Sequence, residues 1–216
     1  MIIRKNLKLM LTTSLVTLLP LLVGLCLWNR LPDQLPFHWN AAGEVDGWAG
    51  KPMAVIGAPL LMLALHWLCV LITAADPKNK NHSGKMQRLI LWIIPLLSVV
   101  IFGMIFSTAW NKDLHVASIA PILIGVLFVI LGNYLPKCKQ SYTIGIKLPW
   151  TLHSDDNWRY THRIGGFCFM AAGLITLMGG IFGLVWAAAP ALVLAAIVPT
   201  VASYLYYKKH GEGEQE

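Results

Sequence analysis

Charge is what this sequence has least of. Asp, Glu, Lys and Arg make up 12% of its 216 residues, against about 25% in an ordinary soluble domain. Acids are the scarcer sign, ten against seventeen basic residues. None of the ten lies within a long apolar run, which removes the coupling groups that ion-driven carriers keep inside their spans. The four cysteines exclude a disulfide framework: Cys26, Cys69 and Cys168 fall in apolar runs and Cys138 lies just beyond one, so no exported pair exists to be oxidised. HExxH, CxxC and the nucleophile elbow are also missing, so the common zinc, thiol-redox and hydrolase chemistries lack their signatures.

What is present is apolar sequence in blocks. Six windows (Leu7–Trp28, Met53–Ala75, Leu89–Trp110, Val116–Leu135, Ile164–Trp186 and Ala189–Tyr207) contain no Asp, Glu, Lys or Arg apart from Lys8. Each is long enough to cross about 30 Å of hydrocarbon as a helix. Lipid offers the backbone no hydrogen bonds, so the pattern predicts an all-α membrane protein, a six-transmembrane-helix bundle forming one membrane domain over residues 1–216. If the N-terminus is cytoplasmic, the inside segments hold 14 of the 17 basic residues and the outside loops only Arg30, Lys51 and Lys112. That asymmetry puts both termini in the cytoplasm. The net charge of +7 then needs no nucleic acid; it suits an anionic membrane surface. The first run is too long for a signal peptide and lacks a small-x-small site, so it reads as a retained helix. Leu25 before Cys26 argues against a lipid anchor.

Two polar segments interrupt the apolar pattern. The outside segment, 29–52, has prolines at 32 and 36, then Phe37-His38-Trp39, a turn-forming Asn40-Ala41-Ala42-Gly43, and Val45 and Trp48. It predicts a hairpin or irregular cap with tryptophans dipping into the headgroups. It serves either as a headgroup-level loop or as a recognition surface. His38, Asp33, Glu44 and Asp46 have no metal-ligand spacing, so no metal is expected. The cytoplasmic segment, 132–166, holds Lys137, Lys139, Lys147, Arg159 and Arg163, with Trp150, Trp158 and the one adjacent acid pair, Asp155-Asp156. Tyr142–Ile146 is β-prone, with Gly145 allowing a bend. Ser154 is a helix N-cap with both acids in the first turn, and that helix should run unbroken into the fifth span with Trp158 and His162 on one face. Acid/base work by His162 and Asp156 is the enzymatic alternative, although capping already explains the acids. In the second span His66 is an intramembrane candidate; one hydrogen bond to a neighbouring helix makes it a neutral packing group, and a transporter role rests on it alone. Asn111–His115 predicts spans three and four as an antiparallel pair. The Gly179/Gly183 pair predicts close packing of span five on span six, and GEGEQE is a solvated tail.

Taken together the two segments resemble a family. LPDQLPFHWNAAGEVDGWAGKP is similar to the LPxxxPxHWNxxGxxDGWxxKP loop of bacterial SdpI-like membrane proteins, and GNYLPK…YTIGIKLPWTLHSDDNWRYTHRIGG resembles that family's second hallmark. The resemblance spans essentially the whole chain. It implies His38, Trp39, Asn40, Gly43, Asp46, Gly47, Trp48, Lys51 and Pro52 as the outside binding motif. Inside, it implies Asn133, Pro136, Gly145, Pro149, Trp150, Thr151, Leu152, Trp158, His162, Arg163 and Gly166. It implies a non-enzymatic, cofactor-free protein of the bacterial plasma membrane that protects against a secreted amphipathic toxin peptide and signals by holding a cytosolic transcriptional repressor at the membrane.

Overall fold

The computed structural model describes residues 7–40, 42–78, 84–110 and 116–210. The expectations for Ala41, for the Asn111–His115 connection and for both chain ends fall outside the described residues. Six helices are long and apolar enough to cross a membrane. The predicted six-span helical architecture is therefore what is observed, and lipid is the surroundings of these helices. The chain forms two compact units, Met1–Ala75 with Ser83–Val116, and Asp76–His82 with Ala117–Glu216.

The first unit contains α1 (Leu7–Cys26), β1 (Gln34–Trp39), β2 (Val45–Gly50), α2 (Ala58–Ala75) and α3 (Gly84–Trp110). Its burial pattern is that of a protein dissolved in lipid. Helix α1 exposes Leu11, Leu15, Leu19 and Leu22 while burying Met10, Thr13, Thr17, Pro20 and Gly24. Burying leucine gains little when the solvent is itself hydrocarbon, so small and hydroxyl-bearing residues take the interhelical positions. Gly24 illustrates the close approach: a Cβ there would stand 2.7 Å from Val55 Cγ1. At one end of the unit an apolar cluster of Leu31, Leu35, Val55, Phe102, Ile105 and Phe106 carries Trp28 and Trp39 on its edge, and this is the base of the β1–β2 hairpin.

The second unit contains α4 (Val116–Tyr134), α5 (Pro149–His153), α6 (Asp155–Phe182) and α7 (Ala188–His210). As expected, Ser154 caps α6, accepting from Asn157 N–H at 3.2 Å; Asp155 and Asp156 fill its first turn, and the helix runs without a break to Phe182. The glycine contacts differ from the expectation. Gly183 ends α6 in the left-handed region at φ +74°, with nothing within 4 Å of its absent Cβ, and Gly179 faces the Leu184 carbonyl of the following turn. Close helix approach instead uses Gly166, Gly173 and Gly180 on α6, a Cβ on which would press on Pro136, on Gly125 O and on Ser118 O. Gly125 and Gly132 reciprocate from α4. Seven-residue spacing keeps these positions on one helix face, and Phe128 stacks on Phe169 beside them, centroids 5.0 Å apart.

Candidate functional site

The hairpin is the first candidate. β1 and β2 are antiparallel, Leu35 opposite Ala49, Pro36 opposite Trp48, and irregularities on both sides of His38 place it opposite Gly47. A Cβ at Gly47 would lie 2.8 Å from His38 Cβ, so glycine lets the histidine cross the partner strand. The turn is built by Asn40, whose Oδ1 accepts from Ala42 N–H (2.9 Å) and Glu44 N–H (3.0 Å), with Gly43 at φ +79°. His38 Nδ1 meets Asp46 Oδ1 at 2.6 Å. Lys51 closes the base, 3.2 Å from Asp33 and over the Trp28 ring. Thus Leu35 is fully buried whereas Trp48 is 57% exposed: an inward anchor holds an outward indole. The two tryptophans named from sequence divide, Trp39 against the apolar cluster and Trp48 into the surroundings.

Within the helices of the same unit, His66 is buried and its Nε2 lies 3.1 Å from Thr13 Oγ on α1. Thr17 and Ser98 continue the polar line, Ser98 donating to Thr17 O at 3.0 Å. One interhelical hydrogen bond is what a neutral histidine needs there, and His66 has it.

The connection between α4 and α6 is the second candidate, a cap folded on the end of the second unit. Trp158 and His162 do share a face, their rings stacked at 4.0 Å. Trp158 donates from Nε1 to Cys138 O at 2.9 Å. His162 Nε2 accepts from Ile146 N–H at 3.0 Å, so its proton sits on Nδ1, 2.8 Å from Trp158 O. Both nitrogens are engaged, and Asp156 is exposed and paired with Arg159; the acid/base couple considered from sequence is not assembled. Gly145, at φ +111°, passes directly over both rings. Thr151 is buried and ties its own helix start, accepting from Leu148 N–H at 2.9 Å. Tyr142–Ile146 is not a strand, because neighbouring side chains take its backbone donors. Asn133, Pro136 and Arg163 are exposed around the rim, Asn133 accepting from Lys137 Nζ. Pro149 opens α5, and its carbonyl lies 2.6 Å from His153 Nδ1.

Two further groups escaped the sequence reading. Trp150 Nε1 donates to Ser203 Oγ at 2.9 Å; Ser203 in turn bonds Asn157 Oδ1 at 2.8 Å and Thr161 at 2.7 Å. This buried knot welds α6 to α7, with Trp150 also stacked on Tyr207. The other is Asp76. Its Oδ2 accepts from Ser141 Oγ (2.5 Å), Thr143 Oγ (2.9 Å), Tyr142 N–H (3.0 Å) and Thr143 N–H (3.1 Å), and its Oδ1 from Lys78 N–H (2.8 Å). Burial alone would push this carboxyl up, but the donors together hold it below its ordinary value. A lowered folded pKa means the stabilisation is complete above the ordinary carboxylate range and is lost as pH falls through the folded value. Thermal stability in detergent is therefore expected to fall below about pH 4. Asp76→Asn is expected to cost about 2 kcal/mol at neutral pH and to flatten that acid limb. Burial pushes the Cys138 thiol up to about 11, so it stays protonated at neutral pH.

Among the described residues no group of three or more His, Cys, Asp or Glu gathers into a metal site. Comparison with known proteins returns matches on both candidate sites. The SdpI/YfhL protein family matches residues 137–203, most of the cap with α6 and most of α7, and a domain of unknown function (DUF1648) matches residues 15–63, the hairpin with the adjoining parts of α1 and α2. The "Immunity protein SdpI" of Bacillus subtilis (strain 168) is 25% identical over 202 residues, covering 90% of this chain and 94% of that protein. No solved structure matches. With six membrane-capable helices and both hallmark segments folded into defined structures, the chain is a multi-pass bacterial plasma-membrane protein that is similar to the SdpI/YfhL family over residues 137–203 and to an SdpI immunity protein over 90% of its length.

Proposed function

We propose that this protein confers immunity to a secreted amphipathic peptide, receiving it at the hairpin on the outer face and reporting occupancy through the cap in the cytoplasm. The observation that carries the reading is the hairpin's construction: a buried base holds Trp48 and the His38–Asp46 pair outward, which a passive connection does not require. The relative's name, an immunity protein, supports the class of function. Three spans separate hairpin from cap in the chain, so an odd number of crossings supports opposite faces, and the concentration of basic residues supports the cap as cytoplasmic. Its exposed Lys137, Lys139, Lys147 and Arg163 are suited to a soluble repressor with an acidic surface. Expression in a sensitive bacterium, challenged with a membrane-depolarising amphipathic peptide, tests the reading. The wild type is expected to preserve membrane potential and the Trp48→Ala/His38→Ala variant to lose it at equal membrane abundance. Equal depolarisation with and without the wild-type protein would overturn the assignment for that peptide.

A further inference from the structure

We infer that the cap end of the α4–α6 seam is a seat for one anionic phospholipid, its phosphate between Lys137 and Arg163 and its acyl chains along α6. The inference stands on the second unit alone and does not need the hairpin reading. Glycines set the seam: a Cβ on Gly132 would meet Met170, one on Gly166 Pro136, and one on Gly173 Val129. Arg163 precedes Met170 by two helical turns, so it lies on the face of α6 that meets α4. Asn133 follows Val129 by one turn, on the face of α4 that meets α6. Both side chains are exposed and therefore stand at the open edge of the seam. Lys137 comes to the same edge, its Nζ 3.2 Å from Asn133 Oδ1 and over the Tyr134 ring.

Two observations give the chemistry of the occupant. The first is charge. Among the described residues neither Lys137 nor Arg163 forms an ion pair. From Val116 to His210 the only acids are Asp155 and Asp156; Asp156 is engaged by Arg159, and both lie about 10 Å or more further along α6 than Arg163. Two uncompensated cations at one mouth favour an anion. The second observation is the surface that leads away from them, and it selects a lipid over a soluble anion. From Ile164 to Phe182 α6 carries no charge, about 28 Å of helix, which places Arg163 at the headgroup level. Phe167, Leu174 and Ile181 continue the Arg163 face, each more than half exposed. Val126, two turns from Asn133, adds an exposed apolar side chain from α4. Cations at the mouth and bare apolar walls below match the polarity of a phospholipid, and basic pockets between membrane helices hold acidic headgroups. Of the cap's exposed cations this seat takes Lys137 and Arg163 and leaves Lys139 and Lys147 to a soluble partner.

The experiment counts lipid retained by the full-length protein in detergent micelles, read by native mass spectrometry after adding phosphatidylglycerol or phosphatidylcholine with identical chains. Each cation beside an acidic headgroup is worth about fivefold in affinity, so the wild type is expected to keep one phosphatidylglycerol with a preference of about tenfold or more. The Lys137→Gln/Arg163→Gln variant should lose that preference, and Arg163→Lys alone should keep most of it. Lys208→Gln/Lys209→Gln removes the same charge from the end of α7 and should leave the preference unchanged. Because all four side chains are exposed, these variants are expected to melt like the wild type in phosphatidylcholine. No preference in the wild type, or equal loss from both double variants, would overturn the seat and leave only the general attraction of a basic protein for an acidic lipid. Displacement of the bound lipid by water-soluble glycerol phosphate at equal concentration would also overturn it, since the chains would then contribute nothing.

Discussion

Gly145→Ala is expected to unseat the cap. The residue sits at φ +111°, where a Cβ alone costs about 1–2 kcal/mol. Here the added methyl would also collide with His162 Nε2 and lie 2.9 Å from Trp158 Cη2. Both rings are pinned in place, Trp158 by Cys138 O and His162 by Ile146 N–H, so neither can yield without breaking a hydrogen bond. Strain and overpacking together predict a loss of about 3 kcal/mol from the second unit. The signature would be a lowered unfolding midpoint together with loss of the near-ultraviolet circular dichroism contributed by the Trp158–His162 stack. An unchanged midpoint would show that this bend is not held as described.

Gly173→Leu should be at least as damaging, for a different reason. A Cβ at this position meets backbone rather than side chain, 2.7 Å from both Gly125 O and Val129 N of α4. Backbone atoms in a helix cannot swing aside, so α4 and α6 must separate, losing the stacked Phe128–Phe169 pair and the crossing of Gly132 over Gly166. Contacts of this kind are the chief source of helix association in lipid, and a loss of more than about 3 kcal/mol is expected. Gly103→Ala on α3, where nothing lies within 4 Å, is the matched control and should stay within about 0.5 kcal/mol of wild type. Equal effects of the two substitutions would remove the glycine face from the account.

These two glycines mark the boundary of what the sequence made legible. The six spans were readable because hydrocarbon imposes one requirement on every residue of a window, and the hairpin and the α6 start because turns and caps are chemistry between near neighbours. Asn40 reaches Glu44 and Ser154 reaches Asn157. Gly145 was readable as a bend, but not as the place where a loop crosses two rings. Pairings between distant residues left no local trace. Nothing in the sequence near Asp76 indicates that its partners are Ser141, Tyr142 and Thr143. Asn157, Thr161 and Ser203 lie on two helices far apart in the chain and meet only where α6 and α7 pack together. The glycines of α6 carry two competing periods; the four-residue pair Gly179/Gly183 matched a known motif, whereas the seven-residue series Gly166, Gly173 and Gly180 makes the contact.

Opposed placement of hairpin and cap is the claim on which the function depends, and chemical labelling tests it directly. Cysteine is introduced singly at Trp48 and at Tyr142, both exposed positions, and intact cells are treated with a membrane-impermeant maleimide before and after permeabilisation. Labelling of the Trp48→Cys protein in intact cells, and of the Tyr142→Cys protein only once the membrane is opened, is the predicted result. Labelling of both from the same side would contradict it.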